Sequence, residues 1–496
     1  MKKNFFRKAL LTITFMSIVL SPIKSLANEL SYMEQNLLLP VKSNSVENWP
    51  VGPAVNCYSA VLMDADTGVI LYEKNAHEQM YPASTTKLMT SLLAMEKDGA
   101  NLNDLVEFSY DAVMSIPRDA SNMGIDPGEK MTLEECLYGI LVVSANEVAN
   151  AVAEYVSGDI DSFVKLMNDR ARELGCTDTH FNNAHGYTDP NHYTSAYDLA
   201  LMARAFFKNE LLSKICRTPT YHWYATEYQP DDFILGSTNY FFRGTKSCDG
   251  LVGSKTGYTD ESRNTLVSCA ERNGMKLICV VMKEETPYQY DDTNLLFDYG
   301  FSNFEKVRVY DYETKYTVTD ESFFHSDSDV FGDSTPIFSM DTSSIVILPK
   351  TLSFNDLNST LSIVTDSNSD KVASVTYDYK GVYLGKADIF FSDSIETEFA
   401  IDKADTSSGD DEEKPTYIYI NNIIYIVLGI FGVIVIFTLT KKILKNVHFA
   451  ERRKASRRWH KRKRHVPGPS YKAFKKESRS TRPRKKKKRS SSYIDI

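Results

Sequence analysis

The sequence predicts an α/β fold in which an antiparallel sheet packs against a helical region, followed by a small all-β domain, one C-terminal transmembrane helix and a basic tail. Three observations predict it: β-rich segments flank a long helical stretch, a later segment alternates in hydropathy, and both ends differ in composition from the body. The 496 residues exceed one typical domain, and the apolar and charged fractions of 42% and 25% are those of a globular protein.

The N-terminal end, residues 1–27, has the layout of a secretory signal peptide. A basic start that includes Lys2 precedes an apolar run at 9–20 and a small-residue cleavage site that ends at Ala27. An uncut N-terminal anchor is the alternative, and both interpretations imply export. Residues 28–55 then form a loose lead-in.

Residues 56–304 alternate between strand-like and helix-like segments. At 57–72, two apolar runs flank the turn-forming Asp64-Ala65-Asp66-Thr67-Gly68, which predicts an antiparallel hairpin. Apolar residues three and four positions apart then predict helices. Later β-rich segments, separated by turns such as Asn273-Gly274, predict further strands. The predicted helices cover 87–97, 133–155, 160–174 and 292–301, and the later strands cover 251–258, 264–270 and 275–282.

Residues 305–400 differ in composition from the body before them. Val, Ile, Tyr and Thr alternate with Ser, Asp and Asn, most clearly at 344–348 and 372–383. Alternation with a period of two predicts strands that bury one face. We therefore expect a small all-β domain. Because no catalytic constellation lies in it, a spacer or docking module is its default function.

The C-terminal end has three parts: an acidic linker at 401–417, an apolar segment at 418–440 and a basic tail at 441–496. The apolar segment reaches the roughly 20 residues that span a bilayer, which predicts a transmembrane helix, with a buried core helix as the alternative. The tail holds 23 lysines and arginines and three acidic residues. Because positive residues stay in the cytoplasm, we expect a single-pass cell-membrane protein with its acidic body outside.

The basic tail has two candidate partners. Runs of lysine and arginine bind anionic lipids of the cytoplasmic membrane at roughly 1 kcal/mol per residue, or bind nucleic acid by counterion release. Aromatic residues in the tail are few, namely Phe449, Trp459, Tyr471, Phe474 and Tyr493. We therefore expect lipid contact and topology anchoring, and no nucleic acid partner.

No metal site and no cofactor are expected. The seven cysteines are scattered without a CxxC pair or a Cys/His cluster. An odd number leaves at least one of them free, and buried free thiols are the simplest interpretation for most of them. His185 and His192 invite a Ser-His-Asp interpretation, but neither lies in a supporting arrangement, so we interpret both as turn or packing residues.

One short segment predicts chemistry: Tyr81-Pro82-Ala83-Ser84-Thr85-Thr86-Lys87, at the start of a predicted helix. At a spacing of three, Ser84 and Lys87 lie on one helix face, so the amine reaches the hydroxyl. A free lysine has a pKa near 10.4, and an ammonium accepts no proton. Lys87 therefore needs burial or a second cation nearby if it is the base for a Ser84 nucleophile.

Two further motifs complete the predicted site. Lys255-Thr256-Gly257, in a predicted strand, provides the second cation, a hydroxyl for a carboxylate and a position where substrate approaches the backbone. Ser144-Ala145-Asn146 provides a hydroxyl that relays a proton and an amide that holds a peptide group. Each motif alone is weak, since Ser-x-x-Lys also occurs at 21–24 and 162–165. Only Ser84–Lys87 opens a predicted helix and is followed about 60 residues later by Ser-x-Asn between apolar runs and about 170 residues later by Lys-Thr-Gly on a strand.

This set resembles the low-molecular-mass penicillin-binding proteins, and among them the serine-type D-alanyl-D-alanine carboxypeptidases. The resemblance covers 56–304 and, behind it, the β domain. It implies a serine β-lactamase/penicillin-binding transpeptidase-like fold for this part of the chain. Beyond the three motifs, the segments that carry it are 64–68, 180–186, 192–198 and 257–261.

The resemblance also implies an activity: removal of the last D-alanine from peptidoglycan stem peptides ending in D-Ala-D-Ala, through an acyl-serine that β-lactam antibiotics also form. Ser84 would attack the carbonyl, Lys87 would accept its proton, and Ser144 would help deliver a proton to the leaving D-alanine. The N–H groups of Ser84 and Tyr258 would form the oxyanion hole. The expected substrate-binding residues are Asn146, Lys255, Thr256, Gly257 and Tyr258.

Two alternative functions stay open. A serine β-lactamase shares the three motifs, but its common form also has a Glu-x-x-x-Asn loop, for which 147–253 offers no convincing match. A β-lactam or muropeptide receptor would use the same acylation, but no signalling domain is visible. Many relatives also have an arginine for the substrate carboxylate, and 283–300 contains none. Carboxylate recognition is therefore expected to depend on Ser254, Lys255 and Thr256.

Overall fold

The computed structural model describes residues 31–228, 230–316, 338–364 and 370–391. Every structural statement below refers to these residues. The predictions that lie outside them are the signal peptide at 1–27, the acidic linker at 401–417, the transmembrane helix at 418–440 and the basic tail at 441–496.

The predicted single-pass location in the cell membrane is wrong for the part of the chain that the structure describes. None of its helices is long and apolar enough to cross a bilayer. The longest of them, Tyr288–Asn303, has 16 residues, whereas a span needs roughly 20 consecutive apolar residues.

The described part of the chain alternates between strands and helices, numbered here in chain order. The strands are β1 Ser59–Asp64, β2 Ile70–Lys74, β3 Leu105–Glu107, β4 Lys130–Thr132, β5 Thr220–Trp223, β6 Phe233–Gly236, β7 Leu251–Thr259, β8 Arg263–Arg272, β9 Met275–Glu284, β10 Phe304–Arg308, β11 Phe338–Met340, β12 Ile345–Pro349, β13 Asn358–Ile363, β14 Lys371–Tyr379 and β15 Val382–Phe391. The helices are α1 Tyr32–Leu37, α2 Lys87–Glu96, α3 Tyr110–Met114, α4 Leu133–Val142, α5 Asn146–Ser157, α6 Ile160–Glu173, α7 Ala196–Phe206, α8 Glu210–Cys216 and α9 Tyr288–Asn303.

A five-stranded antiparallel sheet in the order β2-β1-β9-β8-β7 separates two apolar cores. Successive residues of β1 alternate between them: Val61 packs with the helical region, and Leu62 packs with α9 on the other face. A Cβ added to Gly300 of α9 would lie 2.7 Å from Leu62 Cδ2, so the helix lies directly on the sheet. Because both faces of the sheet are covered, all six residues of β1 are buried.

Two tight turns hold the hairpins of this sheet where the sequence predicts them. In the β1–β2 turn, Asp64 Oδ1 accepts the N–H of Thr67 at 2.8 Å and its hydroxyl at 2.7 Å. In the β8–β9 turn, Asn273 and Gly274 have φ of 50° and 77°. Positive φ at both central positions matches the right-handed twist of the flanking strands, and Asn and Gly adopt it most readily.

The helical region differs from the prediction at one point that matters for the site. The predicted helix at 133–155 is two helices, α4 and α5, separated by residues 143–145. Ser144 in this break has φ of 65°, which is outside the helical region of backbone space. Apolar periodicity continues through the break because both helices bury one face in the same core, so the pattern alone does not reveal it.

Residues 304–391 contribute a second antiparallel sheet of six strands, in the order β10-β12-β15-β14-β13 with β11 beside β15. Its apolar face joins α9 and the central sheet in one core, where Trp49 packs on Phe304 with ring centroids 5.3 Å apart. The alternating pattern thus corresponds to strands. All seven cysteines are free thiols, and six of them are buried.

Candidate active site

Ser84 lies in a 3₁₀ turn, Ala83–Thr86, that leads directly into α2. Lys87 is the first residue of the helix, and its Nζ donates to Ser84 Oγ at 3.0 Å. Ser84 is half-buried, whereas Lys87 is 0% exposed. The start of α2 therefore leaves the Ser84 hydroxyl partly accessible, whereas the Lys87 amine is fully buried.

The Lys87 amine makes two further contacts. Its Nζ donates to Asn146 Oδ1 at 2.5 Å and to the backbone oxygen of His185 at 2.8 Å. All three acceptors, including Ser84 Oγ, are formally neutral. No carboxylate of the described residues forms an ion pair with this amine.

Burial is the main cause of a pKa of Lys87 well below the usual lysine value, and the positive charge of Lys255 lowers it further. The negative charge of Glu147 acts in the opposite direction. A lowered pKa increases the fraction of the amine that is unprotonated, which is the state in which it can accept a proton. The geometry thus provides a neutral base within hydrogen-bond distance of an alcohol.

Lys255 lies on β7 and forms the facing wall of the groove. Its Nζ donates to Ser144 Oγ at 3.0 Å and to the backbone oxygen of Thr256 at 2.9 Å. Burial lowers the pKa of this amine to about 8. Both lysines are therefore buried, but Lys255 keeps its charge over a wider pH range than Lys87.

Ser144 and Asn146 reach the groove because the chain turns sharply between α4 and α5. With φ of 65°, Ser144 directs its hydroxyl to Lys255, while Asn146 begins the next helix and meets Lys87. The structure thus brings Ser84, Lys87, Ser144, Asn146 and Lys255 into one hydrogen-bonded cluster.

Gly257 marks the point where β7 crosses the turn that carries Ser84. A Cβ added to Gly257 would lie 2.9 Å from the backbone oxygen of Pro82 and 3.1 Å from the nitrogen of Ser84. Only a glycine permits this close approach without movement of the backbone. Tyr258, the next residue, is 53% exposed, and its hydroxyl donates to Asp260 at 2.9 Å.

Thr256 has a hydroxyl neighbour that the sequence motifs do not include. Thr238 Oγ1 lies 3.3 Å from Thr256 Oγ1, and Asn239 donates to Ser254 Oγ at 2.9 Å. The segment that follows β6 therefore runs beside the Lys-Thr-Gly strand. Both residues are bonded to this segment, but Ser254 is buried whereas Thr256 is half-buried.

The two histidines make packing and turn contacts. Asn182 donates its N–H to His192 Nδ1 at 3.0 Å, so Nε2 carries the proton and lies 2.8 Å from Thr86 Oγ1. His185 Nδ1 accepts the N–H of Tyr187 at 3.1 Å. Burial lowers the pKa of each imidazole to about 3, and neither ring is hydrogen-bonded to Ser84.

Three residues near the site were missed by the sequence reasoning. Thr238 has no local signal. Gly186 has φ of 90° and lies where a Cβ would clash with the backbone oxygen of Ala83 at 1.8 Å. Of these three residues, only Glu147 could have been noticed in the sequence, because it is an acidic residue inside the apolar run that follows Asn146. Acidic side chains are rarely buried without a partner, and Glu147 is 2% exposed.

Comparison with known proteins identifies this arrangement. A family model described as D-alanyl-D-alanine carboxypeptidase matches residues 45–286. D-alanyl-D-alanine carboxypeptidase DacB2 of Mycobacterium tuberculosis is 31% identical over 259 residues, which are 51% of this chain and 84% of that protein. The chain belongs to the D-alanyl-D-alanine carboxypeptidase family. The resemblance predicted from the three motifs is therefore confirmed.

Other members of the D-alanyl-D-alanine carboxypeptidase family match over the same half of the chain. DacF of Bacillus subtilis is 40% identical over 256 residues, and DacC of Escherichia coli is 32% identical over 263 residues. Each match covers 51% of this chain and 64% of the relative, so the chain spans a little under two thirds of their length.

Solved structures of penicillin-binding proteins share the fold of this D-alanyl-D-alanine carboxypeptidase family member. Penicillin binding protein 5 from Haemophilus influenzae superposes with a TM-score of 0.54 at 25% identity, covering 69% of this chain and 98% of that one. Penicillin binding protein 6B from Escherichia coli gives 0.53 at 24% identity over the same shares. The predicted transpeptidase-like α/β fold with antiparallel sheets is thus confirmed.

Proposed function

We propose that this protein is a serine-type D-alanyl-D-alanine carboxypeptidase that removes the terminal D-alanine of peptidoglycan stem peptides and is acylated by β-lactam antibiotics. The observation that carries the proposal is the 3.0 Å contact between the buried Lys87 amine and Ser84 Oγ. Membership of the family supports the substrate class. An uncharged amine beside an alcohol is what nucleophilic attack on an acyl group requires.

The proposed acylation step moves one proton and one acyl group. Ser84 Oγ forms a bond to the carbonyl carbon between the two D-alanines as its proton passes to Lys87 Nζ. The carbonyl oxygen takes the electron pair, and the N–H groups of Ser84 and Tyr258 stabilise it by about 3 kcal/mol each. The C–N bond then breaks as Ser144 Oγ donates a proton to the leaving amine and takes up the proton that Lys87 accepted, which returns Lys87 to the neutral amine.

Lys255 supports this step in two ways. Its charge opposes protonation of Lys87, and its hydrogen bond at 3.0 Å to Ser144 Oγ orients the hydroxyl that relays the proton. Water then attacks the acyl-serine, with Lys87 as the base. A β-lactam forms the same ester with Ser84, but its leaving group stays attached to the acyl part.

The remaining polar groups would bind the substrate. We assign Asn146 to a peptide group of the stem peptide and the Lys255-Thr256 pair to the terminal carboxylate. Thr238, at 3.3 Å from Thr256, offers a second hydroxyl to the same carboxylate in a chain without an arginine at 283–300. Gly257 leaves room for the peptide along β7. The buried Ser254 holds the strand instead of meeting the substrate.

The proposed organisation follows from these roles. Residues 28–55 are the lead-in, 56–304 the catalytic domain and 305–400 the small β domain. For the tail at 441–496 we propose binding to anionic lipid, because its excess of positive charge is large and its aromatic residues are few. Binding of a synthetic tail peptide to phosphatidylserine vesicles and to DNA across a salt series tests this; binding to DNA alone contradicts it.

The main test compares the wild-type protein with Ser84→Ala and with Ser162→Ala, which removes the serine of an unrelated Ser-x-x-Lys. We expect wild type and Ser162→Ala to release D-alanine from a D-Ala-D-Ala peptide and to form one benzylpenicillin adduct at Ser84 by mass spectrometry. Ser84→Ala should do neither. Rapid penicillin hydrolysis would instead indicate a β-lactamase, and an adduct without D-alanine release would indicate a receptor.

A further inference from the structure

A buried carboxylate lies beside the proposed base and has no role in the mechanism above. Glu147 is the second residue of α5, directly after Asn146, and it is 2% exposed. Its Oε1 accepts the N–H of Met123 at 2.5 Å. Its Oε2 makes no hydrogen bond within the described residues. A buried carboxylate with one free oxygen is costly unless a positive charge lies near.

Glu147 ties a loop to the part of the chain that carries the site. The N–H of Asn146 donates to the backbone oxygen of Ser121 at 2.9 Å, and the Glu147 carboxylate bonds Met123 two residues later. These two bonds attach 121–123 to the first turn of α5. Asn146 is in turn the residue whose Oδ1 accepts from Lys87 at 2.5 Å.

The charges that act on Lys87 come from two sides of the groove. Lys255 on β7 lowers the pKa of Lys87, and Glu147 on α5 raises it; Lys87 in turn lowers the pKa of Glu147, which burial raises. The imidazoles of His185 and His192 are neutral near neutral pH, since burial lowers the pKa of each to about 3. Glu147 is thus the group in this set whose effect on the pKa of Lys87 opposes that of Lys255.

The two opposite charges correspond to the two states that a base passes through. Before acylation Lys87 must be an amine, which the cation at Lys255 favours. As the Ser84 proton arrives, Lys87 becomes an ammonium, and the anion at Glu147 stabilises it. A group that stabilises charge only when that charge develops lowers the barrier.

We propose that Glu147 is a positioning residue of the active site, which anchors the 121–123 loop to the start of α5 and sets the pH range over which Lys87 accepts the Ser84 proton. The proposal rests on the carboxypeptidase function proposed above. Glu147 contacts neither substrate nor Ser84 and acts through Asn146 and Lys87.

The test follows the rate of Ser84 acylation by benzylpenicillin from pH 5 to pH 10, by mass spectrometry, in wild type and Glu147→Gln. The amide keeps an oxygen for the Met123 N–H but removes the charge, so the pKa of Lys87 should fall. We expect the acidic midpoint of the profile to move down by about one pH unit and the maximal rate to fall by about 10- to 100-fold.

Glu154→Gln is the matched control on the same helix. Glu154 Oε1 accepts from Ser109 Oγ at 2.9 Å, so the substitution removes an equal charge outside the groove, and the profile should stay that of wild type. If Glu147→Gln does not fold, Glu147→Asp is measured instead. Its carboxylate is one carbon farther from Lys87, so the midpoint should move in the same direction by less.

An unchanged acidic midpoint in the folded Glu147 variant, or a shift to higher pH, overturns the inference and leaves the proposed function intact. A wild-type protein that forms no adduct at Ser84 at any pH overturns the proposed function and this inference with it. The two failures are thus separated by the wild-type profile alone.

Discussion

At the scale of single residues, the site combines two buried lysines with different titration ranges. Burial and the positive charge of Lys255 lower the pKa of Lys87. Lys255 itself donates hydrogen bonds to Ser144 Oγ and to a backbone oxygen. The first must be neutral and the second charged for the proposed chemistry. The active pH range is therefore bounded by Lys87 on the acidic side and by Lys255 on the alkaline side.

The alkaline bound gives a prediction for Lys255. Because burial lowers the pKa of this amine to about 8, its charge is lost as the pH rises through that value. We expect the acylation rate of Ser84 to fall about tenfold for each pH unit beyond it. In Lys255→Arg the guanidinium stays charged, so the alkaline limb should move to higher pH even if the maximal rate falls.

Stopped-flow acylation by a chromogenic cephalosporin measures both limbs of this profile. Lys276→Arg, a substitution on β9 at a lysine that lies near Glu271 at the surface, is the control and should leave the profile unchanged. An alkaline midpoint that is identical in wild type and Lys255→Arg would assign that limb to another group.

The same scale shows what sequence reasoning can and cannot find. Ser84 and Lys87 are three positions apart across the start of α2, so local spacing predicts their contact. The Lys87–Asn146 and Lys255–Ser144 bonds join residues far apart in the chain, and the set of motifs predicts only that these residues share one site. Thr238 belongs to no motif and to no periodic pattern. It contacts Thr256 only because the two segments that carry these residues lie side by side in the fold.

At the scale of secondary-structure elements, the site depends on one close crossing between β7 and the 3₁₀ turn before α2. Gly257 permits it, because any Cβ there would press on Pro82 and Ser84. The hydrophobic pattern predicts the strand and the start of the helix, but it does not predict how closely the two approach each other. It also misses the break between α4 and α5 and the short β5–β6 hairpin, because neither interrupts the burial of apolar residues.

Gly257→Ala tests the importance of this crossing. The added methyl would lie 2.9 Å from the Pro82 oxygen, so the strand or the turn must move. We expect a loss of about 1–3 kcal/mol in the free energy of unfolding and an acylation rate lower by at least about tenfold. Urea unfolding and the rate of benzylpenicillin adduct formation measure the two effects.

Gly236→Ala is the control for this element, since β6 leaves nothing within 4 Å of the added Cβ. Its unfolding free energy should stay within about 0.5 kcal/mol of wild type. A Gly257→Ala protein with wild-type stability and acylation rate would show that β7 and the Ser84 turn can accommodate a methyl group at this position, contrary to the prediction.

At the scale of the whole molecule, the central sheet is tied to the lead-in and to α9 by a buried polar cluster behind the site. Lys74 Nζ donates to the backbone oxygens of Asn36, Val55 and Cys57 at 2.9, 2.8 and 2.7 Å. Asp292 of α9 accepts the N–H of Cys57 at 2.8 Å. Glu284 of β9 is also buried. A carboxylate oxygen of Glu284, the Cys57 Sγ and a carboxylate oxygen of Asp292 all lie within 4.8 Å of one another.

Sequence patterns do not reveal this cluster. Its members come from the lead-in, β2, β9 and α9. Lys74 and Glu284 lie two residues beyond the ends of the predicted strands, and Asp292 was predicted only as the first residue of a helix. The lead-in was expected to be loose, yet Asn36 is buried, and Trp49 lies in the core with Phe304. Apolar periodicity identifies elements that bury a face, but polar groups that join elements have no period.

The cluster makes the stability of the molecule depend on pH. Burial and the hydrogen bond with Asp292 raise the pKa of Glu284 from 4.5 to about 9. The folded protein therefore keeps a proton that the unfolded chain loses above about 4.5. This contribution to stability is complete below the unfolded value and is lost as the pH rises towards about 9.

In Glu284→Gln the amide replaces the protonated acid and does not titrate. The free energy of unfolding of the variant relative to wild type should thus increase by about 4 kcal/mol between pH 5 and pH 8. Guanidinium unfolding at a series of pH values measures this difference, with Glu305→Gln, an exposed carboxylate on β10, as the control. A difference that stays constant between pH 5 and pH 8 would mean that Glu284 is already ionised in the folded protein.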